Sequence, residues 1–295
     1  MKVAILSTGR HDLSYVKPIH QAIPGSYVLE VSMGTTVSQW RAAEKTMHAG
    51  LAIHNALTDD RPDCFLVIGD RSETLACCVV ATVLRIPIAH VHGGDVTLGS
   101  IDNACRHAIS QLAQWHFCAH EQAASVLRYM NVPGAIHVSG SPAIDLILAN
   151  PRKRAVGRDI VLAYHPETMS NTSPLEQIRH AAAIALENLP KGGKVVYVGA
   201  NPDAGGEQMN LYLGARGEPF VVRTGMDSEE YWDALSTCHA LVGNSSSGVI
   251  ECPVLGVPFI EIGDRQKGRW RGSYGDGHAC ERIASVLTQQ LSSRP

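Results

Sequence analysis

The sequence predicts an α/β protein in which two parallel sheets face each other across a cleft. Three observations carry that expectation. Short apolar runs alternate with longer stretches of helical period along the whole chain. The runs are near-continuous in Val, Ile and Leu rather than alternating, as strands buried on both faces must be. The alternation pauses once, in the polar, basic, proline-containing stretch 150–159, and then restarts.

Taken in order, residues 3–6, 28–32, 64–68, 88–91, 115–118 and 136–138 read as the strands of a first sheet. Helices at 13–21, 40–56, 73–84, 103–114 and 122–130 lie between them, because parallel neighbours need a long crossover. In the second half, 160–163, 195–198, 220–222, 240–242 and 259–262 read as strands, and 175–189, 207–213, 229–235, 249–255 and 282–291 as helices. The linker divides the chain into two domains, 1–150 and 151–295, and no internal repeat or low-complexity segment interrupts them.

Composition excludes several function classes. With 295 residues, 45% hydrophobic and 18% charged, the chain has ample core and no signature of disorder. A net charge of −3 without a Lys/Arg block gives nucleic acid no electrostatic footprint. No stretch approaches the ~20 apolar residues of a membrane span, and the opening run 3–6 is too short for a signal-peptide core. The expectation is a cytoplasmic protein with no nucleic-acid or membrane partner. The eight cysteines form no C-x-x-C and read as buried thiols, and the fourteen histidines form no metal-ligand spacing. No metal or cofactor is expected.

Ligands of such sheets sit beyond the carboxyl ends of the strands, so the residues just after each strand carry the functional signal. After the first strand, Ser7-Thr8-Gly9-Arg10-His11-Asp12 is a small-residue turn opening a helix, with Arg10 as an anion contact. It is not G-x-G-x-x-G, so a dinucleotide fingerprint is absent. After the third, Gly69-Asp70-Arg71-Ser72-Glu73 puts Asp70 on the rim, as an acid or as a helix N-cap. After the fourth, His90-Val91-His92-Gly93-Gly94-Asp95 leads to a helix carrying Asp102, Arg106 and His107. Asp102 and Arg106 are four apart and suit an ion pair on one helical face. Asp70, Asp95 and Asp102 together suggest acid–base chemistry.

In the second half, Tyr164-His165-Pro166-Glu167-Thr168 and a loop containing Asn201 each follow a strand. Gly243-Asn244-Ser245-Ser246-Ser247-Gly248 stands between a strand and a helix that carries Glu251. Hydroxyls and free N–H groups there suit a diphosphate, and Glu251 suits ribose hydroxyls. Arg265, Lys267, Arg269 and Arg271 form a basic loop that reads either as phosphate-neutralising or as solvated surface.

Together these motifs resemble the hydrolysing UDP-N-acetylglucosamine 2-epimerases of sialic and legionaminic acid pathways, of which this chain looks like a shortened member. The likeness rests on GDRSE, HVHGGDVTLGSIDNACRHAI, HPET, NPDAGG and VGNSSSGVIECPVLGVPFIEIGDRQKGR, and runs from Met1 to about Arg269. It implies a GT-B-like architecture of two Rossmann-like domains. It implies metal-independent chemistry in which the nucleoside diphosphate is eliminated from UDP-GlcNAc, or a close analogue, and water then adds to the glycal. The products are a free N-acetylmannosamine-type sugar and UDP.

By the same resemblance, Asp70, Asp95, Asp102 and His165 are the catalytic set. Arg10, Arg106, His107, Asn201, Asn244, Ser245, Ser246, Ser247, Glu251 and Arg265 bind the nucleotide sugar. Asp95 and Asp102 are expected to move protons at the sugar, while His165 and Arg10 stabilise the departing diphosphate. The family commonly has glutamate at Asp95, a difference of one methylene. By the same likeness the apolar segments 74–84 and 104–112 are either a homodimer face or helices packed in the core, the sequence favouring neither. A glycosyltransferase of the same fold, a non-hydrolysing epimerase and a non-catalytic sugar-nucleotide sensor are the alternative readings.

Overall fold

The computed structural model describes residues 1–9, 12–31, 39–201 and 203–293. The first half runs β1 (Val3–Ser7), α1 (Leu13–Ala22), β2 (Ser26–Glu30), α2 (Gln39–Asp59), β3 (Cys64–Ile68), α3 (Ser72–Val83), β4 (Ile88–Val91), α4 (Asp102–Leu112), β5 (Trp115–Cys118), α5 (Glu121–Tyr129), β6 (Ala135–Val138) and α6 (Pro142–Ala149). The second runs β7 (Ile160–Ala163), α7 (Pro174–Glu187), β8 (Val195–Tyr197), α8 (Gly206–Gly214), β9 (Phe220–Val222), α9 (Ser228–Thr237), β10 (Ala240–Gly243), α10 (Ser247–Ile250), α11 (Cys252–Leu255), β11 (Phe259–Glu261) and α12 (Ala279–Ser292).

Every pairing is parallel. The first sheet has the order β2-β1-β3-β4-β5-β6 and the second β11-β10-β7-β8-β9. The central strands β1, β3, β4 and β7 are buried at every position, as unbroken Val/Ile/Leu runs covered on both faces require. In each sheet the strand order reverses once, between β1 and β3 and between β7 and β10, and crevices open at such reversals.

Each of the eleven expected strands has a counterpart, with β2 two residues earlier than expected. Two helical expectations change. Helix α6 was not anticipated, and the helix expected over 249–255 is broken into α10 and α11 at Glu251. Pro253 in the first turn of α11 has no N–H to continue the ladder. Nor do the two halves keep their last helices. Ala143, Ile144 and Ile147 of α6 pack with Val161, Trp232 and Leu241 of the second half. Cys280, Ile283 and Leu287 of α12 pack with Val3, Ile5 and Trp115 of the first. Asp145 seals the exchange by accepting from the N–H groups of Ala279 and Cys280 at the start of α12, at 3.0 and 2.7 Å. No helix of the described residues is long and apolar enough to cross a membrane.

Candidate functional site

Between the two sheets lies a cleft of about 410 Å³, walled by the loops that follow the reversal strands. Tyr15 comes from the first turn of α1, Asp70 and Arg71 follow β3, His165 follows β7, and Ser245, Ser246 and Ser247 follow β10. Asp102, Arg106, Asn201, Glu251, Arg265 and Arg269 complete the wall around them. Arg10 lies outside the described residues.

The serine loop is shaped by its first residue. Gly243 has φ +141°, and a Cβ there would stand 2.0 Å from the Ala163 carbonyl oxygen, so only glycine lets β10 turn against β7. The next residue, Asn244, is fully buried and faces the protein instead of the cleft. Its Oδ1 accepts from the His165 N–H at 2.7 Å and its Nδ2 donates to the His165 carbonyl at 2.8 Å. Asn244 therefore fixes the backbone that carries His165. The His165 ring is fixed in turn, because Nδ1 accepts from the Asn201 N–H at 3.0 Å and a neutral ring keeps its proton on Nε2. Ser245 and Ser247 share a hydroxyl contact of 3.0 Å.

The three aspartates have different fates. Asp70 pairs with Arg106, whose guanidinium also donates to the Asp95 carbonyl at 2.8 Å and to Thr97 Oγ1 at 3.0 Å. Arg106 thus reaches across to β3, and the expected Asp102–Arg106 pair is not formed. Asp102 instead meets Arg265 of the second half at 2.8 Å. Burial raises the Asp102 pKa and the neighbouring Asp203 adds to the rise, both against Arg265. Asp95 stands behind the cleft wall. Its carboxylate accepts from His120 Nε2 at 2.8 Å, His92 Nδ1 at 3.1 Å and Arg269 at 3.0 Å. Burial works against its ionised form, yet Arg269 and the two imidazole bonds together hold it well below the ordinary carboxylate range. Asp95 is held as an anion with its oxygens engaged, whereas burial and Asp203 shift Asp102 toward its protonated form.

Glu251 is buried with Oε2 unpartnered among the described residues, and burial pushes its pKa up to about 7. Tyr231 brings a second buried and unpartnered oxygen, Oη, to the same wall. His107 lies on α4 half-buried and outside the cleft wall, its pKa lowered by burial and by Arg106.

Sequence reasoning missed Arg71, Asp203 and Tyr15, and left Arg269 in a basic loop read either as phosphate-neutralising or as solvated surface. Arg71 and Asp203 stood inside the motifs GDRSE and NPDAGG, but nothing in either motif shows that they meet at 3.2 Å. His92 carried a signal, as a non-glycine residue before two glycines. It adopts φ +65° and is wedged between Asp95 and Ser141, whose hydroxyl lies 3.0 Å from Nε2. Tyr15 packs edge-on against its ring.

The family model for UDP-N-acetylglucosamine 2-epimerase matches residues 1–273. The polysialic acid biosynthesis protein P7 of Escherichia coli is 30% identical over 288 residues, covering 90% of this chain and 72% of that protein. The GDP/UDP-N,N'-diacetylbacillosamine 2-epimerase (hydrolyzing) of Campylobacter jejuni is 30% identical over 236 residues, covering 75% of this chain and 61% of its own length. This chain spans about 60% of the Campylobacter and Neisseria meningitidis relatives it matches. Among solved structures, the Methanocaldococcus jannaschii UDP-GlcNAc 2-epimerase, in complex with UDP-GlcNAc and UDP, superposes with a TM-score of 0.79 at 18% identity. That match covers 98% of this chain and all of the other. At that identity the likeness is one of fold, and the fold is the GT-B-like pair of Rossmann-like halves.

Proposed function

The chain belongs to the UDP-N-acetylglucosamine 2-epimerase family, and from that premise we propose that it acts as a hydrolysing sugar-nucleotide 2-epimerase on UDP-GlcNAc or a close N-acetylated analogue. The observation that carries the reading is the division of labour across the cleft. A titratable carboxylate, Asp102, stands on one wall, while hydroxyls, His165 and a buried acid stand on the other. In the first half-reaction a proton leaves C2 of the sugar. The C1–O bond to the β-phosphate breaks, its electron pair departing with UDP, and a glycal remains. In the second, water gives its oxygen to C1 and a proton returns to C2 on the other face. The result is free sugar with C2 inverted.

Asp102 takes the proton from C2 in the elimination, its raised pKa making it the stronger base. The proton that returns on the opposite face comes from a different donor, such as a water molecule. The His165 Nε2–H and the serine hydroxyls meet the charge that develops on the leaving diphosphate. Glu251 and Tyr231 turn their unpartnered oxygens toward the nucleoside. Asp95 orients His92 and anchors Arg269, acting from behind the wall. The names of the Campylobacter jejuni and Legionella pneumophila relatives support the hydrolysing branch.

Proton NMR of the protein with UDP-GlcNAc in deuterium oxide tests this. Free N-acetylmannosamine deuterated at C2, together with UDP, is the expected outcome. Epimerised sugar still attached to UDP would overturn the hydrolytic step. Intact substrate here and with diacetylbacillosamine nucleotides, despite UDP binding, would overturn the assignment as an epimerase.

A further inference from the structure

Asp203 lies in the loop between β8 and α8, and its carboxylate is divided between two arginines. Oδ1 accepts from Arg71 of the first half at 3.2 Å, and Oδ2 accepts from Arg265 at 3.3 Å. Arg71 also reaches Glu73 at 3.3 Å, and Arg265 reaches Asp102 at 2.8 Å. Glu73, Arg71, Asp203, Arg265 and Asp102 therefore form one row of alternating charge from half to half. The five side chains are only 8–13% exposed. Arg71 and Arg265 line the same cleft as the serine loop and His165, and Asp203 does not line it.

Guanidinium forks bind carboxylate and phosphate with the same donors, so an arginine committed to one anion is less available to the other. With screening weak in this enclosed site, that competition is substantial. Resting on the reading of the cleft as a nucleotide-sugar site, we propose that Asp203 sets the affinity for the nucleoside diphosphate. Its carboxylate competes with the ligand's phosphates for Arg71 and Arg265. A reaction that leaves UDP behind in the cleft needs such a competitor, because otherwise two buried arginines would retain the product.

The same carboxylate acts on Asp102. Both share Arg265, and Arg71 acts on Asp102 as well; Arg71 is itself faced by Glu73 and by Asp12 from the turn after β1. Removing the Asp203 charge leaves Arg265 more fully to Asp102 and lowers the proton affinity of Asp102.

The test is calorimetric titration of UDP into the full chain at several salt concentrations, with wild type, Asp203→Asn and Asp203→Glu. Asp203→Asn is expected to bind UDP about tenfold more tightly and with a steeper loss of affinity on adding salt. Asp203→Glu, which keeps the charge, retains the weaker affinity. The acid limb of the kcat/KM profile moves to lower pH in Asp203→Asn. Unchanged or weakened UDP affinity in folded Asp203→Asn would overturn the proposal. If that variant does not fold, Arg71→Gln decides: it should lose about tenfold in UDP affinity, and an unchanged value overturns the proposal. UDP binding needs no turnover, so a protein that binds UDP but releases no sugar refutes the epimerase reading and leaves this one standing.

Discussion

Asp102 and Arg265 stand 163 positions apart in the chain and meet at 2.8 Å across the cleft, one from each sheet's rim. The pair joins the two halves at the point where chemistry is proposed. It also gives Asp102 an environment in which burial, Asp203 and Arg265 set its proton affinity together.

Asp102→Asn keeps the shape and removes the titrating group. UDP should still bind, and more tightly than to wild type because Arg265 is released from its 2.8 Å pair, while sugar release falls by about a thousandfold or more. Calorimetry and NMR on one preparation check both. Sugar release at the wild-type rate would remove Asp102 from its role.

Glu251 has a folded-state pKa of about 7, above its ordinary value of 4.5. The folded protein thus binds the extra proton between roughly pH 4.5 and 7. The contribution of Glu251 to stability is present at the acid end of that window and is lost as pH rises through 7. Glu251→Gln should therefore be more stable than wild type at pH 8, by up to about 3 kcal/mol for the full shift, and should bind UDP more weakly. Urea titrations at pH 5 and pH 8 check the first expectation. A pH-independent difference would contradict it.

His90 behaves in the opposite sense. Burial lowers its pKa to about 3, and it is held neutral between Ser110 Oγ at 3.0 Å and the Gly69 carbonyl at 2.8 Å. Below about pH 6.5 the unfolded chain takes a proton that the folded one refuses, so stability is present above that value and falls with acid. Thermal midpoints should drop between pH 7 and pH 5. His90→Gln should be less stable at pH 7 yet show a flatter acid limb.

Asp95 and Arg269 should be coupled. Either Asp95→Asn or Arg269→Gln leaves a buried charge without its partner and should cost about 3–5 kcal/mol. The double variant should lose less than the sum, as denaturant titrations of the four proteins would show. Additive losses would argue against the pair.

Gly243→Ala places a methyl group against the Ala163 carbonyl oxygen. It should lower stability by at least about 2 kcal/mol and weaken UDP binding, because β10 and β7 would separate where they carry Asn244 and His165. Thermal unfolding with and without UDP checks this.

The strands were legible because a strand buried on both faces can only be written as an unbroken apolar run, as in Cys64–Ile68. The rim residues were legible because strand ends in a parallel sheet point to one edge. Partnerships were not. Arg106 satisfied a helical spacing with Asp102 but pairs with Asp70, since its guanidinium reaches past the helix to the neighbouring strand. The wall-facing direction of Asp95 was equally hidden, because the turn His92-Gly93-Gly94 decides it. Helix α6 escaped notice because it spans only eight residues and opens on a proline.

The exchange of α6 and α12 has a practical meaning for chimaeras. Cutting at the linker and grafting the second half of a relative would remove Cys280, Ile283 and Leu287 from the core beneath β1. It would also leave Ile144 and Ile147 of α6 facing a foreign surface. The two halves are not interchangeable cassettes. A functional hybrid has to keep α12 with the body it buttresses, and the module boundary is set by where helices come to rest rather than by where the linker falls.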